Sequence, residues 1–283
     1  MIPVRFEYEA ASSVEQAREL LRAGDEDAKV LAGGHSLIPA MKLRASRPSL
    51  LVDIGRLRGE LAYVRDEGEQ LAIGALTRHA ELERDPLVQA HCAVLSHAAG
   101  MVGDPQVRHR GTIGGSLAHA DPSGDLPAVI VALGAELTIV GDSGKRTVAA
   151  DEFFRGVWET AIGRGELLTE IRVPKLGAAS GWAYQKFTRR ALDWAAVGVA
   201  VVLTRDNGSV RNPRIVLASM GGTPLRASAA EAAFTSADHA EAAAQVIAEG
   251  TEPSDDGFAS AEFRGHLARV IGRRALEEAL GRR

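Results

Sequence analysis

The spacing of apolar and polar positions predicts strands and helices along the whole chain. The first apolar stretch is a strand over 6–8, followed by a helix that Ser12 or Ser13 caps, that runs to about Ala23 and that Gly24 ends. Further strands are predicted over 28–31, 50–54, 63–64, 71–73 and 136–140, and further helices over 77–84, 87–99 and 125–133, with a short amphipathic segment over 39–43. Thr77 is the expected cap of the helix over 77–84, and Gly134 the expected stop of the last helix.

The pattern changes after Pro174. Three strands over 182–188, 196–204 and 214–220 are joined by turns, of which Asp206-Asn207-Gly208 has the clearest turn composition. Helices over 227–234, about 237–248 and 259–280 complete the chain. We therefore place a boundary near 174–181 and expect a separate α+β C-terminal domain with a three-stranded antiparallel sheet.

Composition and charge narrow the class of protein. The 283 residues are 46% hydrophobic and 25% charged, as in ordinary globular proteins, and the net charge of −4 gives no support to nucleic-acid binding. The longest apolar run, Trp194–Leu203, is about half of the roughly 20 residues that cross a bilayer. The first residues lack the apolar region of a secretion signal. We expect a cytoplasmic protein without a transmembrane segment.

The cysteine content restricts redox chemistry on this chain. Cys92 is the only cysteine, so an internal disulfide or a cysteine-ligated iron–sulfur cluster, which needs several thiolates, is excluded. The eight histidines show no zinc-type spacing, and we expect no metal site. A redox role would require an organic cofactor here and any metal on a partner chain.

Two glycine segments of similar chemistry are the most informative feature. Residues 32–36, Ala-Gly-Gly-His-Ser, and residues 112–116, Thr-Ile-Gly-Gly-Ser, each place two glycines before a hydroxyl side chain, about eighty residues apart. Paired glycines permit close approach of a ligand, and successive exposed N–H groups form anion-binding nests. Neither segment has the lysine of a P-loop or the G-x-G-x-x-G pattern. Each segment alone could be an ordinary turn, whereas two together suit a pyrophosphate gripped from two sides.

These segments, in this order, resemble the flavoprotein subunits of the carbon monoxide dehydrogenase and xanthine dehydrogenase group. The resemblance covers essentially the whole chain. It extends to residues 151–156 (Asp-Glu-Phe-Phe-Arg-Gly), 166–171 (Glu-Leu-Leu-Thr-Glu-Ile), 183–186 (Ala-Tyr-Gln-Lys), 189–195 and 221–227. It implies an α+β protein with a two-subdomain FAD-binding fold of the vanillyl-alcohol-oxidase (PCMH) type. The expected parts are FAD-binding subdomains over 1–56 and 57–176 and the C-terminal domain over 177–283.

The resemblance also implies which residues bind FAD. Those expected around the diphosphate and ribityl chain are Ala32, Gly33, Gly34, His35, Ser36, Leu37, Thr112, Ile113, Gly114, Gly115 and Ser116. Asp125 would contact the sugar–phosphate portion, the backbone of Leu168 the adenine end, and Lys186 the flavin, with Gln185 as the neighbouring register. The flavin itself would carry the chemistry, and no catalytic side chain is assigned.

Structural roles compete with some of these assignments. Asp125 could be a helix cap, as could Asp121, and Lys186 could be a solvated strand residue. Trp194 is expected in the core rather than against a flavin. His119 could stabilise its segment, and the pair at 189–190 is expected at the surface, where it could face a partner subunit.

For function, the resemblance implies an oxidoreductase subunit that passes electrons from [2Fe-2S] clusters of a small subunit to an external acceptor. A large subunit would hold molybdopterin, in a dimer of heterotrimers. Two alternatives remain open: a stand-alone FAD-dependent oxidase or reductase with the same fold, and a non-catalytic nucleotide-binding scaffold. The substrate of the molybdenum subunit and the final acceptor are not encoded in this chain.

Overall fold

The computed structural model describes residues 2–281. The first region is a small parallel sheet of order β1-β3-β2 with three helices. Its elements are β1 Glu7–Ala10, α1 Val14–Ala23, β2 Lys29–Leu31, α2 Leu37–Lys42, β3 Leu50–Asp53 and α3 Arg58–Leu61. Ser13 is the N-cap of α1, and its Oγ accepts from Gln16 N at 3.1 Å. Gly24 ends α1 as predicted, but in an extended conformation (φ −72°) rather than a left-handed one.

The second region is built on a five-stranded antiparallel sheet of order β4-β5-β10-β6-β7. Its strands are β4 Val64–Glu67, β5 Gln70–Gly74, β6 Glu136–Gly141, β7 Gly144–Ala149 and β10 Leu167–Pro174, and β8 Phe154–Gly156 pairs with β9 Glu159–Thr160 beside it. Its helices are α4 His79–Arg84, α5 Pro86–His91, α6 Ala93–Gly100, α7 Pro105–Arg108, α8 Ile113–His119, α9 Asp125–Leu133 and α10 Ala150–Phe153. The predicted 63–73 hairpin is therefore present as β4 and β5.

Two local predictions in this region were wrong. The helix over 87–99 is two helices that meet at Cys92, because the His91 carbonyl accepts from Leu176 N at 2.8 Å instead of continuing the helical ladder. Thr77 does not cap α4, since its hydroxyl both donates to and accepts from the backbone of Tyr63. The cap is formed instead by Arg78 and Glu81.

The C-terminal region is a sheet of order β11-β12-β13-β14 covered by helices. Its elements are β11 Ser180–Phe187, β12 Val197–Asp206, β13 Ser209–Ala218, β14 Leu225–Arg226, α11 Ser228–Ala233, α12 Ala240–Gln245 and α13 Ala261–Gly281. The three predicted strands are present, and a fourth, two-residue strand pairs with β13. A strand this short has no periodicity to detect. The predicted turn is confirmed, because Asn207 and Gly208 are both left-handed (φ 47° and 87°).

Three apolar clusters fill the molecule. One lies between α1 and the first sheet, and the largest packs α6 and α9 against the five-stranded sheet. That largest cluster also includes Tyr184, Ala200 and Val216 on one face of the C-terminal sheet, whose other face packs on α11–α13. The C-terminal sheet is thus buried on both faces, while the exact domain boundaries stay a prediction. Within residues 2–281, no helix combines the length and the apolar character that crossing a membrane requires.

Candidate functional site

The structure brings the two glycine segments into contact. A Cβ placed on Gly33 would lie 2.3 Å from Arg110 O and 2.8 Å from Gly111 Cα, so only glycine fits there. A Cβ on Gly115 would lie 3.9 Å from the Ala32 Cβ. We call residues 32–37 the first glycine segment and residues 112–116 the second. Their contact joins the parallel sheet to the second region.

The first glycine segment forms a nest of backbone donors. Among residues 2–281, the five consecutive N–H groups from Gly33 to Leu37 donate hydrogen bonds to no protein group. Gly34 is left-handed (φ +78°), and its carbonyl accepts from Ile38 N at 3.0 Å, which begins α2. The segment is only partly buried except for exposed His35. Consecutive unpaired N–H groups in a partly open turn are donors of the kind that bind the oxygens of a diphosphate.

The second glycine segment differs from the prediction because it is not a nest. Thr112 is the N-cap of α8, and the glycines lie in the first helical turn. Its amides are paired inside the chain: Ile113 N donates to Thr77 O, Gly114 N to Ala75 O, Gly115 N to Thr112 Oγ1 and Ser116 N to Thr112 O. The segment can therefore offer a glycine surface and the Ser116 hydroxyl beside the nest, but few free amides.

A buried histidine, His79, packs against Gly111, which in turn contacts the first glycine segment. His79 is only 4% exposed, and a Cβ on Gly111 would lie 2.7 Å from the ring atom Cδ2. His79 Nδ1 is buried without a hydrogen-bond partner in the described part of the chain. Burial, followed by the nearby Arg108 and His35, lowers the pKa of His79 to about 4. The ring is therefore neutral near pH 7 and acts as a packing surface under Gly111.

Asp125 and Lys186 meet in the interior. Lys186 Nζ lies 3.0 Å from Asp125 Oδ2, and both side chains are 3% exposed. Tyr184 donates its hydroxyl proton to Asp125 Oδ1 at 2.5 Å. Burial raises the pKa of the Asp125 carboxyl, and the Lys186 ammonium and the Tyr184 hydroxyl partly offset this rise. Both oxygens of Asp125 are thus engaged within the chain, and its contact with the cofactor stays a prediction.

The alternation of β11 places the two candidate residues, Gln185 and Lys186, on opposite faces of the strand. Tyr184 and Lys186 lie on one face of the strand and point to Asp125 at the start of α9. Gln185 points to the other face and donates to Glu278 on α13. Lys186 is therefore the member of the pair that faces the second region, while its contact with the flavin stays a prediction.

A cavity of about 330 Å³ lies beside Lys186, with Gly103, Arg108 and Leu192 among its lining residues.

The segment after β11 carries Trp194, which is 47% exposed. The prediction that Trp194 is a core residue was therefore wrong. Arg189 is exposed as predicted and donates to Gly257 O at 2.7 Å.

Leu168 lies on the strand that supports the second glycine segment. Its side chain is buried, and it pairs with Ile139 in the five-stranded sheet. The next carbonyl, Thr169 O, accepts from Ala75 N at 2.9 Å, and Ala75 O accepts from Gly114 N at 2.8 Å. The backbone of β10 is thus two hydrogen bonds from the second glycine segment, while the adenine contact of Leu168 stays a prediction.

Sequence reasoning missed Tyr184, His79 and Gly111. Tyr184 had a signal, because it shares strand parity with Lys186 and therefore its face. His79 and Gly111 had none, since their contact joins residues 32 positions apart across α4 to α7.

Among residues 2–281, no group of three or more His, Cys, Asp or Glu side chains is placed so that it could hold a metal ion. Cys92 is buried, and burial raises the pKa of its thiol to about 12. A thiol with so high a pKa is neutral and unreactive near pH 7.

Comparisons with known proteins agree with this geometry. Residues 4–176 match the family model of the FAD-binding domain in molybdopterin dehydrogenase, and residues 182–279 match the CO dehydrogenase flavoprotein C-terminal domain. The chain is 42% identical over its full length to the carbon monoxide dehydrogenase medium chain of Hydrogenophaga pseudoflava, covering 99% of that protein. It is also 42% identical to the alpha subunit of the 6-hydroxypseudooxynicotine dehydrogenase complex of Paenarthrobacter nicotinovorans, covering all of this chain and 97% of that subunit.

A solved structure shows the same fold. Carbon monoxide dehydrogenase from Hydrogenophaga pseudoflava, in a form lacking the Mo-pyranopterin moiety, superposes with a TM-score of 0.97 at 45% identity, covering 100% of this chain and 99% of that one. The predicted family, the FAD-binding fold with an α+β C-terminal domain, FAD as the cofactor and the oxidoreductase class are thereby confirmed. The chain belongs to the family of FAD-binding flavoprotein subunits of molybdopterin-dependent dehydrogenases.

Proposed function

We propose that this chain is the electron-transferring FAD subunit of a molybdenum hydroxylase. It would receive electrons from [2Fe-2S] clusters on a small partner subunit and pass them to an external acceptor. A large partner subunit would hold the molybdopterin, and the assembly would be a cytoplasmic dimer of heterotrimers. The observation that carries the proposal is the nest of five unpaired N–H groups, Gly33 to Leu37, packed against a second glycine segment.

Each part of the cofactor would be bound by a different set of residues. The first glycine segment would hold the diphosphate through its backbone, and Gly115 and Ser116 would line the adjoining sugar chain. Leu168 would lie towards the adenine end, and Lys186 towards the flavin. We place this site between the parts over 1–56 and 57–176, with the flavin facing the part over 177–283.

FAD supplies both single-electron and two-electron transfer, which suits a junction between iron–sulfur clusters and a two-electron acceptor. The chain itself contributes binding and orientation. The backbone N–H groups would stabilise the diphosphate charge by hydrogen bonding, without a titrating side chain. Binding through them should therefore depend little on pH near neutrality. The buried Lys186 contributes a positive charge between α9 and β11, where it pairs with Asp125.

The names of the relatives favour a subunit over a stand-alone oxidase. With one buried cysteine, the chain cannot ligate an iron–sulfur cluster, so any cluster that reduces its flavin would lie on another polypeptide. The full-length relatives carry names of medium chains or subunits of complexes, and this chain covers nearly all of their length.

The first experiment is to purify the chain with whatever accompanies it and record its visible spectrum. A flavin spectrum, with FAD released on denaturation and iron in co-purifying chains, is the expected result. If the preparation neither contains nor takes up FAD in any assembly state, the proposed function is wrong. If it binds FAD but is active alone with a substrate and an acceptor, the stand-alone alternative is correct.

A matched glycine pair tests the nest. Gly34 and Gly68 have nearly the same left-handed conformation (φ +78° and +77°), but Gly68 lies in the β4–β5 turn with nothing near its Cβ position. Both Gly34→Ala and Gly68→Ala should cost about 1 kcal/mol of stability through backbone strain. Gly34→Ala must also shift the Ile38 side chain, because the new Cβ would lie 2.8 Å from Ile38 Cδ1. Only Gly34→Ala should also weaken FAD binding, by at least about tenfold, because it moves the backbone N–H groups that would bind the charged diphosphate. Equal FAD affinity of the two variants would exclude the nest.

A further inference from the structure

A buried triad is formed by Tyr184, Asp125 and Lys186. Tyr184 is 1% exposed, and the Asp125 and Lys186 side chains are each 3% exposed. The Tyr184 hydroxyl and the Lys186 ammonium take separate carboxylate oxygens, at 2.5 Å and 3.0 Å. The triad joins α9 of the second region to β11 of the C-terminal region, so it fixes the ammonium relative to both.

Stability alone gives no reason for such a pair. Removing two charges from water costs several kcal/mol per ion, and apolar side chains of similar volume often serve as well or better. What an ion pair with a third hydrogen-bonding partner does provide is a charge at one position. The Tyr184 hydroxyl contributes by donating to Asp125 Oδ1, which favours the ionised form of the carboxyl and fixes its orientation towards Lys186.

The ammonium has one donor left over. A lysine ammonium has three N–H donors, and the acceptors of Lys186 Nζ among residues 2–281 are Asp125 Oδ2 and, at 3.3 Å, Met101 O. Both Lys186 and Met101 line the cavity of about 330 Å³ that Arg108 and Leu192 also border. The remaining N–H is therefore available to an acceptor in that cavity.

We propose that Tyr184 and Asp125 are positioning residues that hold Lys186 as a fixed positive charge at this cavity wall, where it acts on bound FAD. The inference rests on the proposed function, because it takes the cavity as the flavin end of the site. Reduction adds negative charge to the flavin, so a fixed cation beside it stabilises the reduced form and raises the reduction potential. Tyr184 is thereby assigned a role in setting that potential without touching the cofactor.

The test compares three variants in the complete FAD-loaded assembly. Tyr184→Phe removes the hydroxyl, Lys186→Gln removes the cation, and Tyr63→Phe is the matched control. Tyr63 donates to Glu170 Oε2 at 2.6 Å, and Glu170 in turn pairs with Arg172 at 2.8 Å, so the control removes the same chemistry from a triad elsewhere. The readouts are the midpoint potential of FAD, from equilibration with a reference dye, and the dissociation constant of FAD.

Lys186→Gln should reduce the preference for reduced over oxidised FAD about tenfold, which is about 30 mV for a two-electron couple. Tyr184→Phe should shift the potential in the same direction by a smaller factor, about threefold, with thermal unfolding near that of the parent protein. Tyr63→Phe should leave the potential unchanged. If Tyr184→Phe perturbs folding, Asp125→Asn tests the same link, because it removes the carboxylate that holds Lys186. It should change the potential, whereas Tyr63→Phe should not.

The outcomes separate this inference from the function. If every variant retains the parent potential while FAD remains bound, the positioning role is wrong and the proposed function stands. If Tyr184→Phe and Tyr63→Phe shift the potential equally, the effect is not specific to Lys186 and the inference is again overturned. Failure of the parent assembly to hold FAD would instead reject the proposed function, and the inference with it.

Discussion

Single residues next to the nest act by packing rather than by chemistry. His79 packs its ring against Gly111, and Gly111 contacts the position of Gly33 in the nest. A larger residue at Gly33 or Gly111 would collide with backbone or ring atoms at less than 3 Å. The geometry of the nest therefore depends on His79 and Gly111, which need not touch the cofactor, as well as on Gly33 within the nest.

His79 should make the stability of the protein depend on pH. Its pKa is about 4 in the folded protein against 6.5 for an unperturbed histidine, so between these values the unfolded chain binds more protons. The stabilisation is complete above about pH 6.5 and is lost as the pH falls towards 4. Between pH 7 and pH 5 the loss should be about 2 kcal/mol. Urea unfolding of the parent and of His79→Phe at both pH values measures it.

The variant is its own control for the other titrating groups, because they are present in both proteins. The difference in unfolding free energy between pH 7 and pH 5 should be smaller in His79→Phe by that amount. Parallel pH profiles of the two proteins would show that the ring is protonated at no cost in the folded state.

At the level of elements, one connection concentrates backbone strain. Three non-glycine residues with positive φ meet at the segment between α8 and α9: Ala120 (51°), Trp158 (58°) and Ser219 (62°). Trp158 N donates to Ala120 O, and Ser219 N donates to Pro122 O. Each such conformation costs about 1–3 kcal/mol and persists only where surrounding contacts determine it. The segment leading to Asp125 is therefore held from β8–β9 and from the end of β13.

Helix α9 ends at Gly134 because of its backbone conformation, and a comparison of Gly134 with Gly59 tests this explanation. Gly134 is left-handed (φ +64°), although a Cβ there would have no neighbour closer than 3.7 Å. Gly134→Ala should therefore lose about 1 kcal/mol from strain alone. Gly59, inside α3 with nothing within 4 Å, has an ordinary φ, and Gly59→Ala should gain about 0.5–1 kcal/mol. Urea midpoints moving the same way in both variants would contradict this explanation.

Over the whole molecule, the sequence predicted what local patterns encode. The β4–β5 hairpin, α9 with its glycine stop and the 206–208 turn depend on neighbouring residues, and all are present. The pairing of the second glycine segment was not predictable, because its acceptors Thr77 O and Ala75 O lie more than 30 residues away. The partnership of Asp125 with Tyr184, 59 residues apart, was hidden for the same reason.

FAD should stabilise the folded protein by linking its regions. The proposed site lies where the first sheet contacts α8, so only the folded arrangement presents the nest and the second glycine segment together. A ligand that binds only the folded state adds about 2.7 kcal/mol at one hundred times its dissociation constant. For a chain of this size that raises the unfolding temperature by at least about 5 °C.

Riboflavin is the matched ligand for this measurement because it keeps the flavin ring and lacks the diphosphate. Differential scanning of the assembly, stripped of cofactor and then titrated, should show the rise with FAD and little with riboflavin at equal concentration. Adenosine diphosphate, which supplies the diphosphate without the flavin, should give an intermediate rise. If riboflavin stabilised the protein as much as FAD does, the binding energy would come from the ring pocket near Lys186, and the backbone donors from Gly33 to Leu37 would not be a diphosphate site.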